Sequence, residues 1–191
     1  MDIRNLFFKF RGFTPVPLVI VVLIFAKPTI TSLLWGIGIM IVGEMIRIWG
    51  VAYAGGATRT RDVGAPFLVT AGPFARVRNP LYLGNLLMYS GAALTANIWL
   101  PWLVFVTLIF FGIQYHLIVN LEEEKLTELF GDQYLKYKSQ VPRFIPSIRP
   151  LKEQTDTQPN YAMALKSEKS TFMSFTTIII LMIGKMLIFP S

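Results

Sequence analysis

Ala75-Arg76-Val77-Arg78-Asn79-Pro80-Leu81-Tyr82-Leu83-Gly84-Asn85 sets two arginines, an Asn-Pro turn and a tyrosine against the start of a long apolar segment. Asn79 before Pro80 is a helix-start signal, an N-cap residue followed by proline at the first helical position. Polar chemistry therefore meets a membrane helix here. The predicted span runs from Leu81 to Ala96, and Asn97-Ile98-Trp99-Leu100-Pro101-Trp102 follows as a tight turn whose tryptophans suit a membrane interface. A fourth span from Leu103 to about Leu121 completes a helical hairpin.

Upstream, residues 54 to 80 form a loop rich in glycine, proline and threonine, with Phe67, Leu68, Val69 and Phe74 embedded in it. A connection of that length is expected to be ordered and functional, packed on the membrane face. Before it, Thr31 to Tyr53 is a comfortable second span. Phe13 to Ala26 is short for a first span, must be extended by Phe7, Phe8 and Phe10 or sit where the bilayer is thinned, and is broken by Lys27-Pro28. Arg4, Lys9 and Arg11 precede it in the manner of a signal peptide, but no small-residue cleavage site follows, which predicts a retained segment.

Downstream, Leu126, Leu129, Phe130, Tyr134 and Tyr137 recur at helical spacing, predicting an amphipathic surface helix bent near Gly131. Two prolines, Pro142 and Pro146, close it. Residues 151–170 are polar without an apolar period and read as a tether. Thr171 to Phe189 reads as a fifth span, with Lys185 able to snorkel. The expected architecture is thus an all-α integral membrane protein of about five transmembrane helices, in which loop and surface helix form a cofactor pocket. It divides into a core at 1–150, the tether at 151–170 and an additional helix at 171–191.

Composition agrees with this reading. Of 191 residues, 53% are hydrophobic and 15% charged, and the mean hydropathy is +0.53, too apolar for an ordinary soluble domain. The net charge of +7 is spread between apolar segments, which argues for the positive-inside rule and against nucleic acid. If both early segments cross, one side holds every lysine and arginine except Lys27, Arg47 and Lys185, predicting a multi-pass protein whose site faces the cytoplasm. The absence of cysteine excludes thiolate nucleophiles and thiolate metal sites. No metal-ligand spacing and no dinucleotide or Walker fingerprint appears.

Four features could carry chemistry. Glu44 and Arg47 share a face of the second span, either lining a site or pairing structurally. Glu122, Glu123 and Glu124 end the fourth span, where they form a solvated charged face or, if the helix continues, turn at least one of the first two towards the bundle. His116, the single histidine, could act as a base or simply be hydrogen-bonded in a bundle. Arg76, Arg78, Asn79 and Tyr82 crowd a helix start that could hold a carboxylate or phosphate, or anchor to anionic lipid.

Taken in order, Gly43-x-x-Ile46-Arg47-x-Trp49, Leu68-Val69-Thr70-x-Gly72-Pro73-Phe74, Arg78-Asn79-Pro80-Leu81-Tyr82-Leu83-Gly84, Glu122-Glu123 and Phe130-Gly131-x-x-Tyr134-x-x-Tyr137 with Val141-Pro142 and Ile145-Pro146 form a pattern. It resembles the isoprenylcysteine carboxyl methyltransferase and phospholipid methyltransferase superfamily of membrane enzymes, over about Gly43 to Ile148. The resemblance implies S-adenosylmethionine as donor, held by Pro66, Phe67, Leu68, Val69, Phe74, Asn79, Pro80, Leu81, Tyr82, Glu122 and Glu123. It implies a lipid or lipidated acceptor entering from the bilayer, and is compatible with a homodimer.

Two departures bear on the acceptor. Asn79 stands where the family usually has histidine, which removes a titratable group. Ile118 stands where carboxyl-methylating members carry arginine, which shifts the expectation towards another acceptor such as an amine headgroup. The catalytic candidates are then Arg47, Glu123, Glu44 and His116. The rival readings are an NADPH-dependent sterol or enone reductase, because some membrane reductases resemble this carboxyl-terminal pattern, and a non-catalytic lipid-binding protein.

Overall fold

The computed structural model describes residues 2–55 and 66–188, and among these the protein is all helical. Its helices are α1 (Ile3–Phe10), α2 (Val16–Phe25), α3 (Ile30–Ala54), α4 (Pro80–Ala96), α5 (Trp102–Gln140) and α6 (Tyr161–Ile188), with a short 3-10 turn at Gly72–Ala75. Three of them, α3, α5 and α6, are long and apolar enough to cross a membrane. The glycine- and arginine-rich part of the 54–80 loop, residues 56–65, lies outside the described residues.

The centre of the fold is the antiparallel pair α3 and α4, held at backbone contact by glycines. A Cβ on Gly43 would lie 2.7 Å from the Gly84 carbonyl oxygen, and one on Gly36 would lie 2.6 Å from that of Gly91. Between membrane helices, where water gives no hydrophobic drive, such close backbone approach is a main source of association. Gly84→Ala should therefore lose about 1–3 kcal/mol through overpacking, since its Cβ would meet Arg47 Cγ at 2.6 Å. Thermal unfolding in detergent reads this, and Gly38→Ala, whose Cβ meets nothing within 4 Å, should leave the midpoint unmoved.

Helix boundaries follow local chemistry. Thr29 and Ser32 form a reciprocal capping box at the start of α3, Thr29 Oγ1 accepting from the Ser32 amide at 3.2 Å and Ser32 Oγ accepting from the Thr29 amide at 2.9 Å. Asn97 closes α4 in the left-handed conformation, and its side chain donates to the Lys27 carbonyl at 3.0 Å. That bond, with Lys27 N donating to the Ala96 carbonyl at 2.9 Å, ties the α2–α3 turn to the end of α4.

The first span is corrected. The ten residues of α2 rise only about 15 Å, half the hydrocarbon thickness. Phe7, Phe8 and Phe10 do not extend it, because they belong to α1, which the turn Arg11 to Pro15 separates from α2. Phe8 packs instead on Phe111, Tyr115 and Ile118 of α5.

The fourth span and the surface helix are one element of 39 residues. The part before Gly131 is about 43 Å long, more than a bilayer core needs, so its last turns project beyond the apolar zone. At Gly131 the backbone leaves the helical region, with φ 50° and ψ −127°. This bend turns Tyr134 and Tyr137 onto Leu68 and Val141, while the Tyr137 hydroxyl donates to the Phe74 carbonyl at 2.8 Å. The embedded apolar residue Leu68 therefore packs under the end of α5 and not on a membrane face.

Residues 142–160 are held throughout. Arg78 N donates to the Pro142 carbonyl, Ser147 N to Arg76, Leu151 N to Ala75 and Asn160 N to Ala52, all at 2.8–2.9 Å. Thr70 and Thr155 exchange amide-to-hydroxyl bonds at 3.1 and 2.9 Å. The expected tether ends at Asn160 and α6 begins at Tyr161, because Ala164 packs on Val51 and Ala52 and so anchors a turn that composition alone reads as solvated. Lys185, expected to snorkel, donates to the Leu23 and Ile24 carbonyls and fastens α6 to the exposed end of α2.

Candidate functional site

A cavity of about 810 Å³ opens at the polar end of the α3–α4 pair. The first turns of α4 form its floor, the Leu68–Phe74 loop with Tyr134 and Tyr137 covers it, and Val16, Val19, Phe175 and Ile178 of α2 and α6 make an apolar wall. Its size is that of a small-molecule site, with a minority of polar groups set in an apolar lining.

The carboxylates on α5 have separate surroundings because consecutive helical residues point about 100° apart. Glu122 Oε1 accepts from the Tyr82 hydroxyl at 2.8 Å, and the Tyr82 ring lies against Tyr115 with centroids 4.7 Å apart. Glu123, 3% exposed, sits among three cations. Arg78 Nη2 approaches it at 2.9 Å, Arg143 Nη2 at 2.6 Å and Lys138 Nζ at 3.1 Å. Arg78 also donates to the carbonyls of Lys138 and Val141. Glu123 is thus the keystone of the roof, joining the turn before α4, α5 and the segment beyond.

Asn79 occupies the N-cap position of α4 but makes no capping bond. Its amide donates to the Arg143 carbonyl at 3.2 Å instead. The first turn of α4, with Pro80 at its start, is left without a side-chain cap beside the cavity. A helix start of this kind favours a negatively charged ligand group.

On the opposite side of the cavity, Arg47 donates through Nη2 to both oxygens of Glu168, at 2.8 and 2.7 Å, and through Nη1 to Asn85 Oδ1. The Thr171 hydroxyl donates to Glu168 at 2.7 Å. Tyr89 and Asn85 complete this wall.

The cavity gathers Arg47, Phe67, Leu68, Val69, Phe74, Asn79, Pro80, Leu81, Tyr82, Glu122 and Glu123. Three candidates lie outside it. Pro66 is exposed at the edge of the loop. His116 is exposed, its Nδ1 3.5 Å from Arg143, because Tyr115 takes the inward position and the next residue turns away. Glu44 is buried 3.6 Å from the Arg47 guanidinium, and Arg47, nearly a turn closer to the polar end, is the one that reaches the cavity. Neither His116 nor Glu44 is placed to act as a base on a ligand in this cavity.

Sequence reasoning missed Asn85, Arg143, Lys138 and Glu168. None of them stood out, because each finds its partner at a distance in the sequence.

No curated protein matches this chain. The profile described as phospholipid methyltransferase matches residues 31–133, more than half of the chain, and covers α3, α4 and α5 as far as the bend at Gly131. The helix pair, the floor of the cavity and the carboxylates on α5 all lie inside that segment, and the chain belongs to the phospholipid methyltransferase family.

Proposed function

We propose that the chain transfers a methyl group from S-adenosylmethionine to the amine headgroup of a lipid that reaches the cavity from the bilayer, at a site facing the cytoplasm. The observation that carries this reading is the cavity itself. One corner joins a carboxylate–phenol pair to an uncapped helix start, and Val16, Val19, Phe175 and Ile178 give an apolar wall. A donor with a sulfonium, a planar ring and a carboxylate fits that corner. Glu122 and the Tyr82 and Tyr115 rings suit the cation, Val69, Phe74 and Leu81 the ring, and the first turn of α4 the carboxylate.

When bound, S-adenosylmethionine supplies an electrophilic methyl group for in-line displacement. The residues contribute orientation and exclusion of water. Leu68, Tyr134 and Tyr137 close the roof, while Val16, Val19, Phe175 and Ile178 receive the acceptor's chain. An ammonium headgroup must lose a proton before it attacks. Glu123 is held by three cations and Glu168 by Arg47, so Glu122 at the Tyr82 hydroxyl is the carboxylate we assign to accept it.

Titration of the purified protein with S-adenosylmethionine and with NADPH tests the reading. Saturable binding of the first alone is expected. Binding of NADPH alone would transfer the chain to the reductases, and binding of neither would leave a lipid-binding role. Incubation with labelled donor and total lipid extract should then place the label on an amine-headed lipid. Label only on water-soluble molecules would refute entry from the bilayer.

A further inference from the structure

We infer that Glu168, on α6 and outside the family-matched segment, sets the charge of the acceptor by occupying the guanidinium of Arg47. This rests on the methyltransferase reading for its reaction, though not for its test. Arg47 lines the cavity with 13% of its side chain exposed, while the Glu168 side chain behind it is fully buried. Both Glu168 oxygens engage Arg47 Nη2 at 2.7–2.8 Å, and the Thr171 hydroxyl fixes the carboxylate in that pose.

An acceptor carrying a carboxylate would seek Arg47 and meet Glu168 already there. Two carboxylates on one guanidinium in a poorly hydrated wall repel each other. Of the other described cations that line the cavity, Arg78 is committed to Glu123, Arg11 donates to the Phe8 carbonyl at 2.8 Å and stacks over the Phe8 ring, and Lys9 lies at the exposed rim. Ile118 adds no cation, being fully buried among Phe8, Phe111 and Tyr115. A cationic or neutral amine headgroup suffers no such conflict. Glu168 is therefore a positioning residue, holding Arg47 and selecting against anionic reacting ends through it.

Glu168→Gln keeps the shape and hydrogen bonding of the side chain while releasing the charge of Arg47. The test measures binding of two amphiphiles of equal chain length, one headed by a primary amine and one by a carboxylate, to the full chain in detergent without donor. In wild type the amine should bind more tightly. In Glu168→Gln the carboxylate should tighten about tenfold relative to the amine, as a charge-assisted bond becomes available. Glu168→Asp should restore the wild-type preference. A ratio unchanged in Glu168→Gln, a parallel loss of both amphiphiles, or a wild-type preference for the carboxylate would each overturn the assignment. Failure of the wild type to bind S-adenosylmethionine would count against the methyltransferase reading alone, because the amphiphile ratio is measured without it.

Discussion

Replacing Glu123 by alanine should lower stability by about 3–5 kcal/mol, the usual consequence of stranding charges around a buried site. Of its partners, Arg78 is 9% exposed and Arg143 24%, so neither can recover full hydration in place. Lys138, 41% exposed, should contribute little to the loss. The damage should spread along the chain, because Arg78 holds the carbonyls of Lys138 and Val141, and Arg143 reaches Asn120 Oδ1 at 2.8 Å. We expect a lower unfolding midpoint in detergent together with faster proteolytic nicking between residues 141 and 160. Glu124→Ala supplies the comparison. Its partner Arg4 and its own side chain are on the surface, and the variant should stay within about 0.5 kcal/mol of wild type. Equal stability of the two variants would show that Glu123 does not knit the roof.

The second large effect falls on donor affinity. Glu122→Ala removes the carboxylate facing the proposed sulfonium, and the loss of one charge-assisted interaction corresponds to about ten- to hundredfold weaker binding of S-adenosylmethionine. Tyr82→Ala should act similarly by removing both the hydroxyl at 2.8 Å and the ring against Tyr115. Tyr82→Phe separates the two contributions, retaining the ring and losing the bond to Glu122. Calorimetry reads all three. Unchanged affinity in both alanine variants would remove this pair from the donor site.

The lengths of α3 and α4 were legible in the sequence because an apolar run bounded by Pro28, Gly55, Pro80 and Asn97 leaves little freedom in where a membrane helix begins and ends. The bend at Gly131 was legible for a related reason: a left-handed φ there asks for glycine. Direction within the bundle was not. Glu44, Arg47 and His116 are all polar residues in apolar runs; nearness to the interface favours Arg47 over Glu44, but nothing local says which way His116 faces. His116 faces outward because Tyr115 takes the inward position against Tyr82, a contact across 33 residues of sequence. Glu168 was hidden by composition. A polar stretch reads as solvated unless a partner elsewhere neutralises it, and here the partner is Arg47, 121 residues away.

The hydrogen bonds that carry residues 142–160 back across Ala52, Thr70 and Ala75 to Arg78 have an evolutionary corollary. The segment recognisable as a family stops at residue 133, yet Tyr134 and Tyr137 of the roof and Phe175 and Ile178 of the apolar wall are supplied after it. Recombination at that border would exchange part of the reaction vessel and not an appendage. In this protein the heritable module is therefore larger than the recognisable one, and drift in the carboxyl-terminal segment is a route by which an old methyl-transfer scaffold can acquire a new clientele.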